Sequence, residues 1–231
     1  MNRPLLVLRS PAGAAAHNMA VDEALLLNAN SARAPVLRFY SWTEPAASFG
    51  YFQRYADVEL LTPLRPLVRR PTGGGIVPHD ADWTYSLAFP FGHDWHQLPA
   101  TESYRRVHEW VRAAFGKIGV DCSLAPARAS RIAGPGQCFA GCGWEQFDVL
   151  RLGRKIAGAA QRRNRDGLLI QGSVQPPAQT DRGSWEGAML EIAAAEYAFE
   201  IAVFAPTPQF NQTASSLERD KYSQPDYNRK R

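Results

Sequence analysis

A glycine-rich segment carries the residues of this chain that are best suited to bind a ligand. It is Arg-Arg-Pro-Thr-Gly-Gly-Gly-Ile-Val-Pro-His-Asp, residues 69–80. Three successive glycines permit positive φ angles and remove every side chain, so backbone N–H groups can approach a ligand oxygen or phosphate closely. The two arginines supply fixed positive charge. Glycines alone would indicate a flexible turn, and the Gly-Lys-Ser/Thr ending of a P-loop is missing. The flanking charged residues favour a binding site.

A second segment, Gly-Arg-Lys-Ile-Ala-Gly-Ala-Ala-Gln at residues 153–161, places a lysine among small residues. The small side chains at 157–160 leave room for a ligand to lie along the backbone. The Lys155 ammonium could then stabilise negative charge that develops on a carbonyl oxygen. Taken by itself, the segment is better explained as a surface strand with a solvated lysine.

Hydropathy patterns predict the elements that position these segments. Helices are expected at residues 17–27 and 104–118, and strands at 5–8, 35–40, 84–89, 148–152, 155–160 and 168–174. Asn18 is the predicted N-cap of the first helix, and Gly119 closes the second. Because helices and strands mix without strict alternation, the sequence predicts an α+β fold with helices packed on a mixed or antiparallel sheet.

Bulk properties favour one soluble, cytoplasmic domain. The 231 residues fit a single hydrophobic core. No apolar run approaches the ~20 residues that a membrane helix needs, and the start lacks the longer apolar stretch of a secretory signal. The net charge of +4 favours an acidic partner. The basic residues are scattered apart from a cluster at 228–231, so neither nucleic acid nor a membrane is expected as a partner.

The three cysteines, Cys122, Cys138 and Cys142, do not indicate a structural framework. An odd count without a secretory signal argues against disulfides. No second Cys/His pair lies at the spacing of zinc ligands, so no metal site is expected.

Together, the glycine and lysine segments resemble the lipoate–protein ligase and octanoyltransferase family, within the biotin/lipoate A/B protein ligase superfamily. The two patterns, at this separation, are specific. Further similarity lies at residues 18–25, 39–53, 83–86, 221–222 and 228–229, so the resemblance spans nearly the whole chain. It implies a biotin/lipoyl ligase-like catalytic domain over residues 1–231. Since many ligases of the family carry an extra C-terminal domain and little chain follows residue 205, no such accessory domain is expected.

The resemblance also implies roles for individual residues. Lys155 contacts the acyl carbonyl, and the glycine loop lines the pocket for the acyl group or acyl-adenylate. The substrate-binding residues implied by the matching motif positions are Arg70, Thr72, Gly73, Gly74, Gly75, His79, Asp80, Gly158, Ala159 and Gly172. One departure is Gln171-Gly172-Ser173, where the family often has His-Gly-Ser or His-Gly-Thr. Glutamine cannot exchange a proton near neutral pH, which argues against acid/base catalysis at residue 171.

Two activities are implied. An octanoyltransferase takes the acyl group from a carrier-protein thioester, often through a cysteine, and needs no further cofactor. Cys138 stands in a Cys-Phe pair at the place of that cysteine, with Cys142 as a second candidate, and a thiolate there would be the nucleophile. A ligase instead uses ATP and magnesium to form an acyl-adenylate. The short C-terminal remainder favours transfer through Cys138, whereas Gly75 is more typical of ligases.

The expected protein partners follow from the same resemblance. The acyl acceptor would be a lysine of a lipoyl-domain protein, such as the glycine-cleavage H protein or the E2 component of a 2-oxo acid dehydrogenase. Acyl carrier protein would be the donor for a transferase. A non-catalytic binder of lipoyl domains is a further alternative, which the retention of Lys155 and the glycine loop disfavours. A biotin ligase is disfavoured because its basic glycine–arginine loop is absent.

Overall fold

The elements predicted around the two motifs are present in the computed structural model, which describes residues 3–126, 139 and 143–230. The strands are β1 (Arg3–Arg9), β2 (Val36–Tyr40), β3 (Ala46–Phe49), β4 (Leu67–Arg69), β5 (Val77–His79), β6 (Trp83–Pro90), β7 (Ser123–Leu124), β8 (Val149–Arg151), β9 (Arg154–Asn164), β10 (Gly167–Val174) and β11 (Phe199–Val203). The helices are α1 (Ala15–Ala32), α2 (Tyr55–Leu61), α3 (Asp94–Gln97), α4 (Ala100–Lys117), α5 (Arg182–Tyr197), α6 (Pro208–Leu217) and α7 (Pro225–Arg229), with a π-helical turn at Glu218–Tyr222.

The strands form a large sheet and a small one. The large sheet has the order β11-β1-β2-β6-β10-β9-β8-β7, and the small sheet has the order β4-β3-β5. Pairing in the large sheet is parallel from β11 to β2 and antiparallel from β2 to β7. The α+β prediction with a mixed sheet is therefore confirmed.

The back face of the large sheet carries an aromatic core. It packs against α4 and α5, with Trp110, Phe115 and Trp185 fully buried beside Tyr85 and Phe89 of β6. The helical periodicity expected at residues 104–118 is confirmed by α4, whose apolar stripe faces this core. This packing fixes the central strands as a rigid platform, because a close-packed interior transmits displacement rather than absorbing it.

Helix α1 covers the front face and is buried along most of its length. The prediction that Asn18 caps it is wrong. The helix begins earlier, with Ala14 at the N-cap position and no capping side chain. Asn18 is fully buried and donates from Nδ2 to the carbonyl oxygens of Gly13 and Ser41, at 3.0 and 2.9 Å. Its side-chain amide therefore links the helix to the neighbouring loops. This tertiary contact cannot be predicted from the preference of asparagine for helix N-caps.

Register in the centre of the sheet places small and polar side chains together. Ser173 of β10 lies opposite Thr84 of β6 and Gly158 of β9. Two residues along, Gln171 lies opposite Ala160. Because side chains alternate between faces, these residues share the front face. The front of β6, β10 and β9 thus forms a shallow floor beneath α1 and the small sheet.

Candidate functional site

The glycine loop lies above this floor and is held closed by Arg70. The Arg70 guanidinium donates from Nη2 to the carbonyl oxygens of Gly73 and Gly75, at 2.9 and 2.7 Å. Gly74 adopts a φ of 89°, a left-handed conformation that favours glycine. A Cβ at Gly50 would lie 2.0 Å from the Gly74 carbonyl oxygen, so Gly50 permits the loop to approach β3. The loop is therefore an ordered, stabilised turn rather than a flexible connection.

A buried cluster around Asp22 supports the loop from below. The Asp22 carboxylate accepts hydrogen bonds from Arg38, Tyr40, Ser86 and Gln171, at 2.7, 2.9, 2.7 and 2.7 Å. Arg38 and Asp22 are both fully buried, and the four donors compensate for the desolvation of the carboxylate. Burial and the neighbouring Asp22 carboxylate raise the pKa of Tyr40 well above its usual range, so Tyr40 remains a donor.

Gln171 connects this cluster to the glycine loop. Its Nε2 donates to Asp22, while its Oε1 accepts from the Thr72 hydroxyl at 2.7 Å. A glutamine offers a donor and an acceptor at the same time without any change of protonation. The residue that departs from the family pattern thus has a structural bridging position between α1 and the loop.

His79 and Asp82 form a second buried polar group at the front face. The His79 Nδ1 lies 2.9 Å from Asp82 Oδ2, and both side chains are almost completely buried. The same Asp82 oxygen accepts hydrogen bonds from Thr84 at 3.0 Å and Ser173 at 2.7 Å. The Trp42 ring stacks on His79 with the ring centroids 3.8 Å apart.

Lys155 is paired with Asp148, the residue before β8. The Lys155 Nζ lies 2.7 Å from Asp148 Oδ2, and the two side chains are 9% and 0% exposed. Asp148 also accepts from the Tyr104 hydroxyl at 2.6 Å and from the Glu145 backbone N–H at 2.8 Å. An ammonium has three N–H donors, and the bond to Asp148 uses one of them, so Lys155 has the chemistry to bind a ligand oxygen as well.

Gly158 makes room for this lysine. A Cβ at Gly158 would lie 2.5 Å from Lys155 Cε, so the side chain crosses the strand where no other residue would fit. The Phe139 ring covers the lysine from another side, with its centroid 5.2 Å from Nζ. The expected strand is confirmed by β9, but the interpretation of its lysine as solvated is wrong.

A cavity joins these groups. It runs across four neighbouring strands, from Tyr40 of β2 past Thr84 and Ser173 to Gly158 and Lys155 of β9. With strands about 4.8 Å apart, the three steps give a length of about 14 Å. Met19 of α1 and Gly74 of the loop form further walls. The cavity lining therefore extends across four strands, with the Lys155 amine at the β9 side.

The structure brings most of the predicted site residues together. Those that line the cavity are Arg70, Gly74, His79, Lys155, Gly158, Ala159 and Gly172. Thr72, Gly73 and Gly75 adjoin it through their bonds to Gln171 and Arg70. Asp80 is exposed on the turn after β5 and is not among the cavity residues. Cys138 and Cys142 lie outside the described residues.

Several residues at the site were not selected from the sequence. Asp148 is a single carboxylate directly before the apolar strand β8, which precedes Lys155 in the chain. This pattern in the sequence could have marked it as a partner for the lysine. Asp82, two residues after Asp80, has no local signal that separates the buried carboxylate from the exposed one. A side chain at position 172 would point to the back face of the sheet. Its Cβ would lie 2.1 Å from Tyr85 Cζ, so packing of the core also requires glycine at this position.

The described residues contain no group of three or more His, Cys, Asp or Glu side chains that could hold a metal ion. Over the same ranges, no helix is long and apolar enough to cross a membrane.

Sequence comparison identifies the family to which this α+β fold and its lysine-bearing cavity belong. Residues 14–176 match the model of the lipoyl protein ligase A/B catalytic domain. The chain belongs to this family.

Similar proteins agree with this assignment. The chain is 37% identical over 164 residues to octanoyltransferase LipM of Carboxydothermus hydrogenoformans, covering 69% of this chain and 60% of the relative. It is 37% identical over 178 residues to octanoyltransferase LipM of Kyrpidia tusciae, covering 73% and 64%. The aligned part of the chain thus spans less than two thirds of each relative. A lipoate-protein ligase A solved with ATP shares the fold, with a TM-score of 0.79, 22% identity and 99% of both chains covered.

Proposed function

We propose that this protein transfers an octanoyl or lipoyl group to a lysine of a lipoyl-carrier domain. The observation that carries the proposal is the Lys155 ammonium, held by the buried Asp148 carboxylate at one side of the cavity. The cavity lining spans four strands, about 14 Å by strand spacing, which suits an extended acyl chain. Relatives that share 37% of aligned residues are named octanoyltransferases, which supports the same activity here.

Lys155 would act on the acyl carbonyl. When a nucleophile attacks that carbon, negative charge develops on the carbonyl oxygen, and a fixed ammonium lowers the energy of that state. Asp148 would act as a positioning residue, because it fixes the lysine without contacting the acyl group. The acyl chain would lie along Gly158 and Ala159, under the glycine loop.

Cys138 is the proposed nucleophile. Phe139, the next residue in the sequence, lines the cavity and contacts Lys155. The Cys138 thiolate would attack a carrier-protein thioester, releasing the carrier thiol and forming an acyl thioester on the enzyme. The ε-amine of the acceptor lysine would then attack that thioester, forming an amide and regenerating the Cys138 thiol. This route requires no ATP or metal.

The alternative is an ATP-dependent ligase that acts through lipoyl-AMP, with magnesium. It is favoured by Gly75, a third glycine more typical of ligases. For either activity, the proposed acceptors are the glycine-cleavage H protein or an E2 component of a 2-oxo acid dehydrogenase, and acyl carrier protein is the proposed donor for the transferase.

An acyl-transfer assay on an apo lipoyl domain tests the proposal. One arm supplies octanoyl carrier protein, and the other supplies lipoate with ATP and magnesium. We expect transfer in the first arm, a hydroxylamine-sensitive acyl adduct on the enzyme by intact mass, and loss of both in Cys138→Ser. Lys155→Ala should lower the transfer rate by about 10²–10³-fold, the typical cost of losing one such electrostatic group.

Cys122 provides a matched control for the cysteine substitution. It is half-buried, and burial raises the pKa of its thiol to about 11, so little thiolate forms near neutral pH. Cys122→Ser and Cys142→Ser should both retain transfer. Activity of Cys138→Ser only with lipoate and ATP would establish the ligase alternative. A folded wild-type protein that is inactive in both arms would overturn the proposed function.

A further inference from the structure

We infer that His79 is a positioning residue that fixes the glycine loop through a chain of hydrogen bonds, and that it does so as one neutral tautomer. The chain runs from the Asp82 carboxylate through His79, Ser48 and Arg70 to the glycine-loop carbonyls. The inference rests on the proposed function only in taking the cavity as an acyl-binding site. It gives a defined task to motif positions that the proposed chemistry at Lys155 does not use.

Each link of this chain is short and buried. His79 Nδ1 lies 2.9 Å from Asp82 Oδ2, and His79 Nε2 lies 2.6 Å from Ser48 Oγ. Arg70 Nη1 donates to the same Ser48 oxygen at 2.9 Å. Ser48 is fully buried, and His79 and Arg70 are each 5% exposed. The Arg70 guanidinium then reaches the carbonyl oxygens of the loop.

Donor and acceptor chemistry selects one protonation state for His79. An arginine can only donate, so Ser48 accepts from Arg70 and has its own hydroxyl proton left to give. The acceptor within reach among the described residues is His79 Nε2; if Nε2 carried a hydrogen, the buried Ser48 hydroxyl proton would have no acceptor there. A carboxylate only accepts, so His79 Nδ1 carries the proton toward Asp82. The chain is satisfied at every link by neutral His79 with its proton on Nδ1.

The surroundings hold His79 in this role rather than leaving it available to a substrate. Both ring nitrogens bond protein groups, and Trp42 covers one ring face at 3.8 Å. Trp42 is itself fixed, since its Nε1 donates to Thr84 at 2.8 Å. Asp82 is held by its bonds to Thr84 and Ser173. The chain therefore starts from a rigid point on the sheet floor and ends on the loop.

The geometry predicts which substitutions preserve the loop. In His79→Gln, the side-chain oxygen can replace Nε2 as the acceptor for Ser48. In His79→Asn, the shorter amide can still reach Asp82 but not Ser48. Octanoate affinity should therefore fall by about two- to tenfold in His79→Asn, the range of one lost hydrogen bond, and remain closer to wild type in His79→Gln. Ser48→Ala should match His79→Asn.

A double variant distinguishes a connected chain from general destabilisation. If Ser48 and His79 act through the same link, Ser48→Ala combined with His79→Asn should weaken octanoate binding no more than either alone. Independent damage would instead multiply the two effects. Asp57→Asn is the control, because Asp57 is an exposed carboxylate on α2 outside the cavity lining and should leave octanoate affinity unchanged.

Nitrogen NMR of the ligand-free wild-type protein gives a readout that needs neither acyl transfer nor a folded variant. The His79 ring should show a protonated Nδ1 and an unprotonated Nε2 at neutral pH. The opposite tautomer, a doubly protonated ring, or multiplicative effects in the double variant would overturn the inference. The expected tautomer in a protein that transfers no acyl group would count against the proposed function alone.

Discussion

Breaking the ion pair between Lys155 and Asp148 should destabilise the folded protein strongly. Asp148→Ala removes the counter-charge from an ammonium whose side chain is only 9% exposed. It also removes an acceptor from Tyr104 and from the Glu145 backbone. Removing one partner of a buried pair costs about 3–5 kcal/mol. At roughly 2–4 °C per kcal/mol for a chain of this size, Tm should fall by about 6–20 °C.

Urea unfolding followed by circular dichroism measures this cost. The double variant Asp148→Leu with Lys155→Met replaces both charges with apolar groups and should recover much of the lost free energy of unfolding. The resulting coupling energy should be about 1–3 kcal/mol. An exposed pair provides the control. Lys117 and Glu191 are 2.6 Å apart but 44% and 65% exposed, so Glu191→Ala should cost less than about 1 kcal/mol.

Two results would refute this reasoning. If Asp148→Ala lowers the free energy of unfolding no more than Glu191→Ala does, then Asp148 does not stabilise a buried Lys155 ammonium. If the Asp148 and Lys155 substitutions are additive, the two side chains do not interact. In either case the electrostatic role proposed for Lys155 would lose its structural basis.

Three further predictions concern Gly74, Gly172 and His108. Gly74→Val places a β-branched residue at a φ of 89°, with its Cβ 3.3 Å from Arg70 Nη2, and should abolish the octanoate binding that calorimetry measures. Normal octanoate binding by this variant would show that the loop is only a turn and not part of the binding site. Gly172→Ala should cost about 1–3 kcal/mol on urea unfolding because of the Tyr85 ring, whereas Gly187→Ala, which meets open space, should cost nothing. Burial lowers the pKa of His108 from 6.5 to about 4. As pH falls, His108 is therefore protonated in the unfolded chain before it is protonated in the folded protein. Up to about 3 kcal/mol of the free energy of unfolding should be lost as pH falls from 6.5 to 4. His108→Gln should remove that part of the pH slope, and an unchanged slope would contradict it.

Much of the site chemistry was predictable from local sequence. The strands at 84–89, 148–152 and 155–160 were predictable because hydropathy patterns are a property of short segments. The glycine loop and Lys155 were recognisable because their residue types are unusual at that spacing. The structure confirms the strands and places most of the predicted residues around one cavity.

Local patterns did not distinguish which polar residues would be buried. Asp80 and Asp82 lie on the same turn, yet Asp80 is exposed and Asp82 is buried against β6 and β10. Asn18 is of a residue type favoured at helix N-caps, but its side chain instead donates to the carbonyl oxygens of Gly13 and Ser41 in the neighbouring loops. Such outcomes depend on which elements pack against a residue, and that information is absent from its neighbours in the sequence.

The sequence by itself determined the types of residue that could bind an acyl group and the elements that carry them. The tertiary structure decided how those residues are held. Gln171 reaches Asp22 across 149 positions. The Arg69 backbone N–H donates to the side-chain oxygen Oδ1 of Asn228 in α7 across 159 positions. The physical reason is that these partners meet only when elements distant in the sequence pack together: β10 inserts between β9, the strand before it, and β6, which lies far earlier in the chain.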